Sequence, residues 1–151
     1  MKRAPNRWRW RNIPLPEPHL ALLGAGLLLH FVRPAPIGPA AFVPRRVGWV
    51  LIVGGSVLAA WATRSAGDKN LEQLDALVTT GAYGLSRHPM YLGWSLMYVG
   101  IGLALRSAWL LAMAPVLGVL VHRVVRREER RLDEAFGAPY RAYRSRVRRY
   151  L

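Results

Sequence analysis

Two short runs of the sequence hold the residues best suited to chemistry, residues 80–93 and residues 126–131. Their reactive or charged members are Tyr83, Arg87, His88, Tyr91, Glu128 and Glu129. Carboxylates accept hydrogen bonds from the two hydroxyls of a ribose, and aromatic faces attract a sulfonium or ammonium ion. The ordinary alternative is a helix start with snorkelling basic side chains and an ion-paired helix surface. The choice depends on whether the fold brings the two runs together.

The elements that carry these runs are predicted to be membrane helices. Four segments contain no Lys, Arg, Asp or Glu, namely residues 18–32, 47–63, 88–105 and 107–122. A spanning helix needs about 20 mostly apolar residues, and flanking arginines extend a shorter one by snorkelling. We therefore expect an all-α, polytopic membrane protein with about four transmembrane helices plus a cytosolic C-terminal amphipathic helix. Three spans with a re-entrant segment are the alternative.

The distribution of charge predicts the orientation. Of the 22 Lys and Arg residues, the segment 1–18 holds five, the central loop three and the chain from Arg123 onward ten. Only Arg33, Arg45, Arg46 and Arg106 fall on the opposite side. Because basic residues concentrate in cytoplasmic segments, this predicts an integral membrane protein with both termini in the cytoplasm. The same rule accounts for the net charge of +14, so we expect no nucleic-acid partner.

The chain divides into a basic N-terminal arm, residues 1–18, and a single domain, residues 19–151. Leucines within residues 71–78 predict a short amphipathic helix on the membrane surface. The last long helix is predicted to end at Gly137, and a basic amphipathic helix with Tyr140, Tyr143 and Val147 on one face follows it. The chain has no Cys and its four His are scattered, so we expect no metal site.

The third and fourth segments are predicted to form a tight antiparallel hairpin. Only Arg106 and Ser107 separate them. A hairpin returns the end of the fourth segment to the membrane face where the third one began. Glu128 and Glu129 are then expected at the same water–lipid boundary as residues 80–93. No Gly-rich phosphate loop in a βαβ setting is present, so this is not a Rossmann cofactor site.

Several motifs of the sequence together resemble those of a known family. The matching motifs are Gly-Ala-Tyr at 81–83, Arg-His-Pro-Met-Tyr-Leu-Gly at 87–93, Glu-Glu at 128–129, and Phe-Gly-Ala-Pro-Tyr-Arg-Ala-Tyr at 136–143 followed by Val147. In this order and spacing they resemble the isoprenylcysteine carboxyl methyltransferases, which belong with the phospholipid methyltransferases. The resemblance covers residues 68–151. It implies S-adenosylmethionine bound at the cytosolic face and a membrane lipid as partner, with a lipid-borne or small hydrophobic methyl acceptor.

The resemblance also implies which residues contact the cofactor. They are Leu77, Val78, Tyr83, His88, Pro89, Met90, Tyr91, Glu128 and Glu129. Arg123 and Arg127 are weak candidates for substrate contacts, since the family's arginine one turn before the first Glu is Val124 here. No catalytic residue is assigned, because methyl transfer relies mainly on alignment and desolvation.

The acceptor group and two other functions stay open at this stage. The acceptor could be a carboxylate, a thiol or an amine, and an amine would need His88 or Glu129 to take its proton. Membrane sterol reductases that use NADPH carry a run similar to residues 87–93. A non-enzymatic membrane adaptor, holding anionic lipid through its basic tail, is the third interpretation.

Overall fold

The computed structural model describes residues 16–38, 42–67 and 76–151, and these ranges are helical throughout apart from their connections. The helices are α1 Glu17–Val32, α2 Phe42–Ala66, α3 Ala82–Leu85, α4 Pro89–Ala104, α5 Ala108–Phe136 and α6 Ala138–Arg146. In the described ranges, β structure is limited to an isolated antiparallel bridge between Pro36 and Ser107. The predicted all-α class is confirmed for this part of the chain.

Local sequence signals set the boundaries of α4 and α5. Pro89 begins α4, where its missing N–H loses no helical hydrogen bond. The Ser107 hydroxyl accepts a hydrogen bond from the Leu110 N–H and caps α5. Gly137, with a φ of 55°, ends α5 in a left-handed conformation that suits glycine. These boundaries agree with the sequence prediction to within a residue or two.

Helix α4 lies at the centre of the bundle, with α2 on one side and α1 and α5 on the other. Glycines allow α2 and α4 to approach closely: Gly55 faces Gly93, and Gly48 faces Gly100. A Cβ added at Gly93 would lie 2.7 Å from the Gly55 carbonyl oxygen. Small residues of this kind are how helices make close backbone contact in a membrane.

Within residues 16–38, 42–67 and 76–151, two helices are long and apolar enough to cross a membrane, Arg45–Ala66 and Ala108–Phe136. In α5 the apolar part is residues 108–122, and the charged part, residues 123–136, extends beyond it. Helices α1 and α4 have 16 residues each, so they are about 24 Å long at 1.5 Å per residue. Large apolar side chains such as Phe31, Val50 and Val57 point outward, as expected of a surface that meets lipid.

Two details differ from the sequence prediction. Residues 76–80 are not helical, and Val78 is buried against Ala62 and Ala66 instead of lying on a membrane surface. Residues 1–15 of the predicted arm and 71–75 of the predicted loop helix lie outside the described residues. Helix α6 ends at Arg146, so Val147 and Tyr150 do not extend its face. The chain leaves the helix there because the Arg148 carbonyl accepts a hydrogen bond from the Arg87 N–H.

Candidate active site

A cavity opens where the apolar part of α5 gives way to its charged part. It encloses about 560 Å³ of empty space when the solvent in its open mouth is counted. The lining residues are Ala76, Leu77, Val78, Tyr83, Arg87, His88, Pro89, Met90, Tyr91, Glu128, Leu132 and Tyr143. The predicted meeting of the two reactive runs therefore occurs in the fold.

One wall of the cavity is the segment from Gly81 to the start of α4. Gly81 has a φ of 63°, and the following Ala82 N–H donates to the Ser65 hydroxyl on α2. The Tyr83 carbonyl accepts a 2.6 Å hydrogen bond from the buried Tyr143 hydroxyl of α6. This wall is therefore fixed by contacts to α2 and α6.

Ser86 links the same wall to the chain beyond α6. Its hydroxyl accepts from the His88 N–H at 3.2 Å and donates to the Arg149 carbonyl at 3.1 Å. Together with the Arg87–Arg148 backbone bond, this holds the chain after α6 against the start of α4.

Glu129 of α5, just behind the cavity lining, is contacted by three side chains, those of Arg149, Arg87 and His88. Its two oxygens receive Arg149 Nε at 3.0 Å and Nη2 at 2.7 Å. Arg87 Nη2 also lies 3.0 Å from Oε1, and His88 Nε2 lies 3.3 Å from the same oxygen. Burial raises the pKa of this carboxyl, but the hydrogen bonds with His88 and Arg149 and the charge of Arg87 outweigh burial and bring the pKa down to about 2. Glu129 is thus the ionised centre of a structural network.

Glu128 differs from its neighbour because it opens into the cavity. Its side chain is 31% exposed, and Oε2 lies 3.8 Å from His88 Nδ1, too far for a hydrogen bond. That oxygen has no hydrogen-bond partner in residues 16–38, 42–67 and 76–151. Burial, opposed by the charge of His88, raises the pKa of the Glu128 carboxyl. A carboxylate held in this way gains from a ligand that donates hydrogen bonds or carries positive charge.

Arg87 supplies the opposite charge at the same cavity. Its side chain is only 7% exposed, and one nitrogen, Nη2, is taken by Glu129. The Nε and Nη1 atoms are buried and have no hydrogen-bond partner within the described part of the chain. Each of these two N–H groups can donate a hydrogen bond to an anionic or carbonyl group of a ligand.

Tyr83 adds a polar ring to the cavity. Burial, and after it the negative charge of Glu128, raise the pKa of the Tyr83 phenol, which therefore stays protonated at neutral pH. Burial likewise raises the pKa of Tyr143 to about 12. Both phenols consequently act as neutral groups.

The structure brings most of the expected site residues together. The ones that line the cavity are Leu77, Val78, Tyr83, His88, Pro89, Met90, Tyr91 and Glu128. Glu129 is not among the lining residues, because its carboxylate is turned to Arg149 and Arg87. Arg123 and Arg127 are exposed on α5 and do not line the cavity.

The sequence analysis missed Arg149 as the main partner of Glu129, and it missed Leu132 and Tyr143 as lining residues. Leu132 had a usable signal: it lies one turn after Glu128, so it shares that face of α5. The contact of Arg149 with Glu129 depends on where the chain runs after α6, and no local pattern indicates it.

The fold is that of a helical, membrane-associated domain with a cavity at the end of its apolar region. The sequence model of the phospholipid methyltransferase family matches residues 44–139, and the chain belongs to that family. This confirms the resemblance to the related membrane methyltransferases. No curated protein and no solved structure matches the chain. The matched segment begins in α2 and ends in α6, and it leaves out α1.

Proposed function

We propose that this protein transfers a methyl group from S-adenosylmethionine to a lipid-borne or small hydrophobic acceptor. Membership of a methyltransferase family supports the reaction class. The observation that carries the proposal is the pairing of opposite charges in one cavity, with the open carboxylate of Glu128 and two guanidinium nitrogens of Arg87, Nε and Nη1, that have no described partner. A ligand that carries both a carboxylate and cationic groups matches that pairing.

The residues present fit the parts of this cofactor. The positive charge of Arg87 and its unpaired N–H donors suit the carboxylate of the cofactor, and the open carboxylate of Glu128 suits a ribose diol or a cationic centre. The rings of Tyr83 and Tyr91 offer faces to a sulfonium. Apolar side chains suit the adenine, and these are Leu77, Val78, Met90 and Leu132.

When bound, the cofactor supplies an electrophilic methyl group. The part played by the protein is to align the two reactants and to exclude water, which accounts for much of the rate of a two-substrate reaction. Glu129 serves this indirectly, because it holds Arg87, His88 and Arg149 in one arrangement. His88 faces Glu128 with its other ring nitrogen. A proton released by an amine acceptor could pass to His88 or to Glu128, which both line the cavity.

The proposed arrangement in the membrane has about four spans with both termini in the cytoplasm. The two long apolar helices support two of the spans. The hairpin of α4 and α5, and the outward apolar side chains of α1, support the other two. The exposed arginines of the charged part of α5 and of α6 would then lie on the cytosolic side, with the cavity.

Binding of S-adenosylhomocysteine, the demethylated product, tests the cofactor assignment without needing the acceptor. We expect saturable binding to the detergent-purified protein in calorimetry, and about tenfold weaker binding by Glu128→Gln because the open carboxylate is lost. Glu134→Gln is the matched control, since Glu134 is exposed two turns further along α5. No binding by the wild type, or equal binding by Glu128→Gln, would contradict the proposal.

A further inference from the structure

The chain after α6, residues 147–151, returns to the level at which the apolar part of α5 ends. The Tyr150 hydroxyl lies 3.1 Å from Nδ1 of His122, the last residue before the charged part of α5. The two rings are neighbours, with their centroids 6.2 Å apart. This segment therefore lies at the boundary between the apolar and the charged regions of the bundle.

Exposed leucines are found at the same boundary. Leu151, within the segment, is 67% exposed, and Leu85 of α3 is 52% exposed. Leu85 directly precedes Ser86, whose hydroxyl donates to the Arg149 carbonyl, so α3 is held against the segment. Apolar side chains that point outward beside arginines are typical of a surface lying in the head-group region of a membrane.

Arginines with free guanidinium groups border this segment. Arg123 follows His122 on α5, and Arg148 belongs to the segment itself. Both side chains are exposed, and neither makes an ion pair or a hydrogen bond within the part of the chain that the structure describes. Arg144 and Arg146 are also exposed, in the last turn of α6. These cations are therefore available to a ligand from outside the chain.

Few carboxylates offset this positive charge. Residues 76–127 and 135–151 contain no Asp or Glu. Glu128 and Glu129 face the cavity and the buried charged network beside it. Glu17, at the start of α1, is an exposed carboxylate at the same end of the bundle, and the exposed arginines outnumber it. The charge of the described surface is therefore complementary to an anionic head group.

From these observations we propose that Arg123 and Arg148, together with Leu85 and Leu151, form a docking surface for anionic phospholipid of the surrounding membrane. This rests on the membrane arrangement given under the proposed function, which puts the boundary at the cytosolic leaflet, where anionic lipids create a negative surface potential. The arginines donate to the lipid phosphates, and the leucines contact the acyl chains. The lipid is a surface ligand here and not the methyl acceptor. Docking holds in place the segment that carries Arg149, the partner of Glu129.

The test compares phosphatidylglycerol with phosphatidylcholine, each added to the full chain in detergent micelles. Both lipids have a phosphate, but only phosphatidylglycerol carries a net negative charge, and neither has a primary amine, a thiol or a carboxylate that could accept a methyl group. We expect phosphatidylglycerol to raise the melting temperature of the wild type by roughly 2–4 °C more than phosphatidylcholine does. Hydrogen exchange of the Arg87 amide, which bonds to the Arg148 carbonyl, should also slow with phosphatidylglycerol. Both effects should shrink in about 0.5 M salt.

Two double variants separate this surface from the overall charge of the protein. Arg123→Gln combined with Arg148→Gln should lose most of the lipid preference but keep its melting temperature without lipid, because neither side chain has a described partner. Arg130→Gln combined with Arg141→Gln removes the same charge and is the control. Arg130 lies about 10 Å further along α5 than Arg123, and Arg141 pairs with Asp133 towards the far end of α5. The control should keep the full lipid preference.

The outcomes distinguish this inference from the proposed function. A wild type that responds equally to the two lipids overturns the docking surface, even when S-adenosylhomocysteine binds. Full lipid preference in the variant without Arg123 and Arg148 overturns it as well, and so does an equal loss in the control variant, which would show a response to overall charge. Absence of S-adenosylhomocysteine binding overturns the proposed function, and the lipid preference is still measured because it does not depend on the cofactor.

Discussion

The two ends of the helical bundle handle their polar groups in different ways. At the end away from the cavity, Arg106 donates from Nη2 to the carbonyls of Ile37 and Gly38. The Ile37 N–H donates to the Arg106 carbonyl, and the Trp109 Nε1 donates to the carbonyl of Arg33 at 2.7 Å. These contacts use backbone carbonyls, and no carboxylate takes part in them. They join the segment after α1 to the connection between α4 and α5.

At the cavity end, charged side chains dominate and some of them are incompletely paired. Glu129 is saturated by Arg87, Arg149 and His88, whereas Glu128 Oε2 and two nitrogens of Arg87 have no partner within the described residues. Buried polar atoms without hydrogen-bond partners destabilise a fold. A bound ligand that pairs with them offsets that loss. At the far end a buried ring nitrogen, His30 Nδ1, also lacks a described partner, so the two ends differ in their unpaired charged groups, which the proposed function assigns to ligand binding at the cavity end.

The largest effect is expected from Glu129→Ala, which removes the centre of the charged network. It leaves Arg87 and Arg149 without their shared carboxylate. Breaking a buried ion pair by removing one partner costs about 3–5 kcal/mol. We expect a loss of that size in unfolding free energy, measured by thermal or denaturant unfolding in detergent. Glu128→Ala is the control and should cost much less, since its Oε2 makes no described hydrogen bond.

Acid gives an independent check of the same network. The pKa of Glu129 is about 2 in the folded protein, below its ordinary value of 4.5. Its contribution is therefore complete above about pH 4.5 and is lost as the pH falls toward 2. The Glu129→Gln variant should lack this part of the acid sensitivity. If the wild type and the Glu129→Gln variant lost the same amount of stability over this pH range, this role of Glu129 would be contradicted.

A smaller effect is expected from adding a methyl group between α2 and α4. Gly93→Ala and Gly100→Ala each place a Cβ 2.7 Å from a facing carbonyl oxygen, of Gly55 and Gly48 respectively. Overpacking of this kind costs about 1–3 kcal/mol. Both variants should lose stability, but only Gly93→Ala, one turn after Pro89, should also weaken binding of S-adenosylhomocysteine. Gly54→Ala is the control because nothing lies within 4 Å of its added Cβ. Equal binding loss in both variants would remove the distinction between the two ends.

The smallest effect is expected at the closed end. Arg106→Ala removes the side-chain hydrogen bonds to the Ile37 and Gly38 carbonyls, and a typical bond of this kind contributes about 0.5–1.5 kcal/mol. We expect a stability loss of that order and unchanged binding of S-adenosylhomocysteine in calorimetry. Weakened binding would show that this end also shapes the cavity.

The sequence predicted the helices well because their limits are local. The absence of charge placed the apolar helices, and Pro89, Gly137 and Pro139 placed helix ends close to those observed. The short link at Arg106 and Ser107 was sufficient to predict that the two reactive runs meet. The residues expected to contact the cofactor came from the family resemblance, and all of them except Glu129 line the cavity.

The separate roles of the two glutamates could not be predicted. Adjacent residues on a helix point about 100° apart, so one of the pair had to turn away from the cavity. Which one did so depends on where Arg149 lies, and this follows from the non-helical course of the chain after Arg146. The prediction of a surface helix at residues 71–78 is wrong for residues 76–78, the part that the structure describes, and the reason is similar. Val78 is buried against α2, a tertiary contact that leucine spacing does not reveal.

The contact of the chain after α6 with the start of α4 also constrains biosynthesis. Arg87 bonds to Arg148 through the backbone and shares Glu129 with Arg149, more than 60 residues further along the chain. A ribosome exports residues in order, so α2 and α4 can pair along their glycines before Arg149 has been made. The apolar helices can thus be in place while the cavity wall still lacks its last support. The support of Glu129 by Arg149 is therefore added only after α2 and α4 are able to pair.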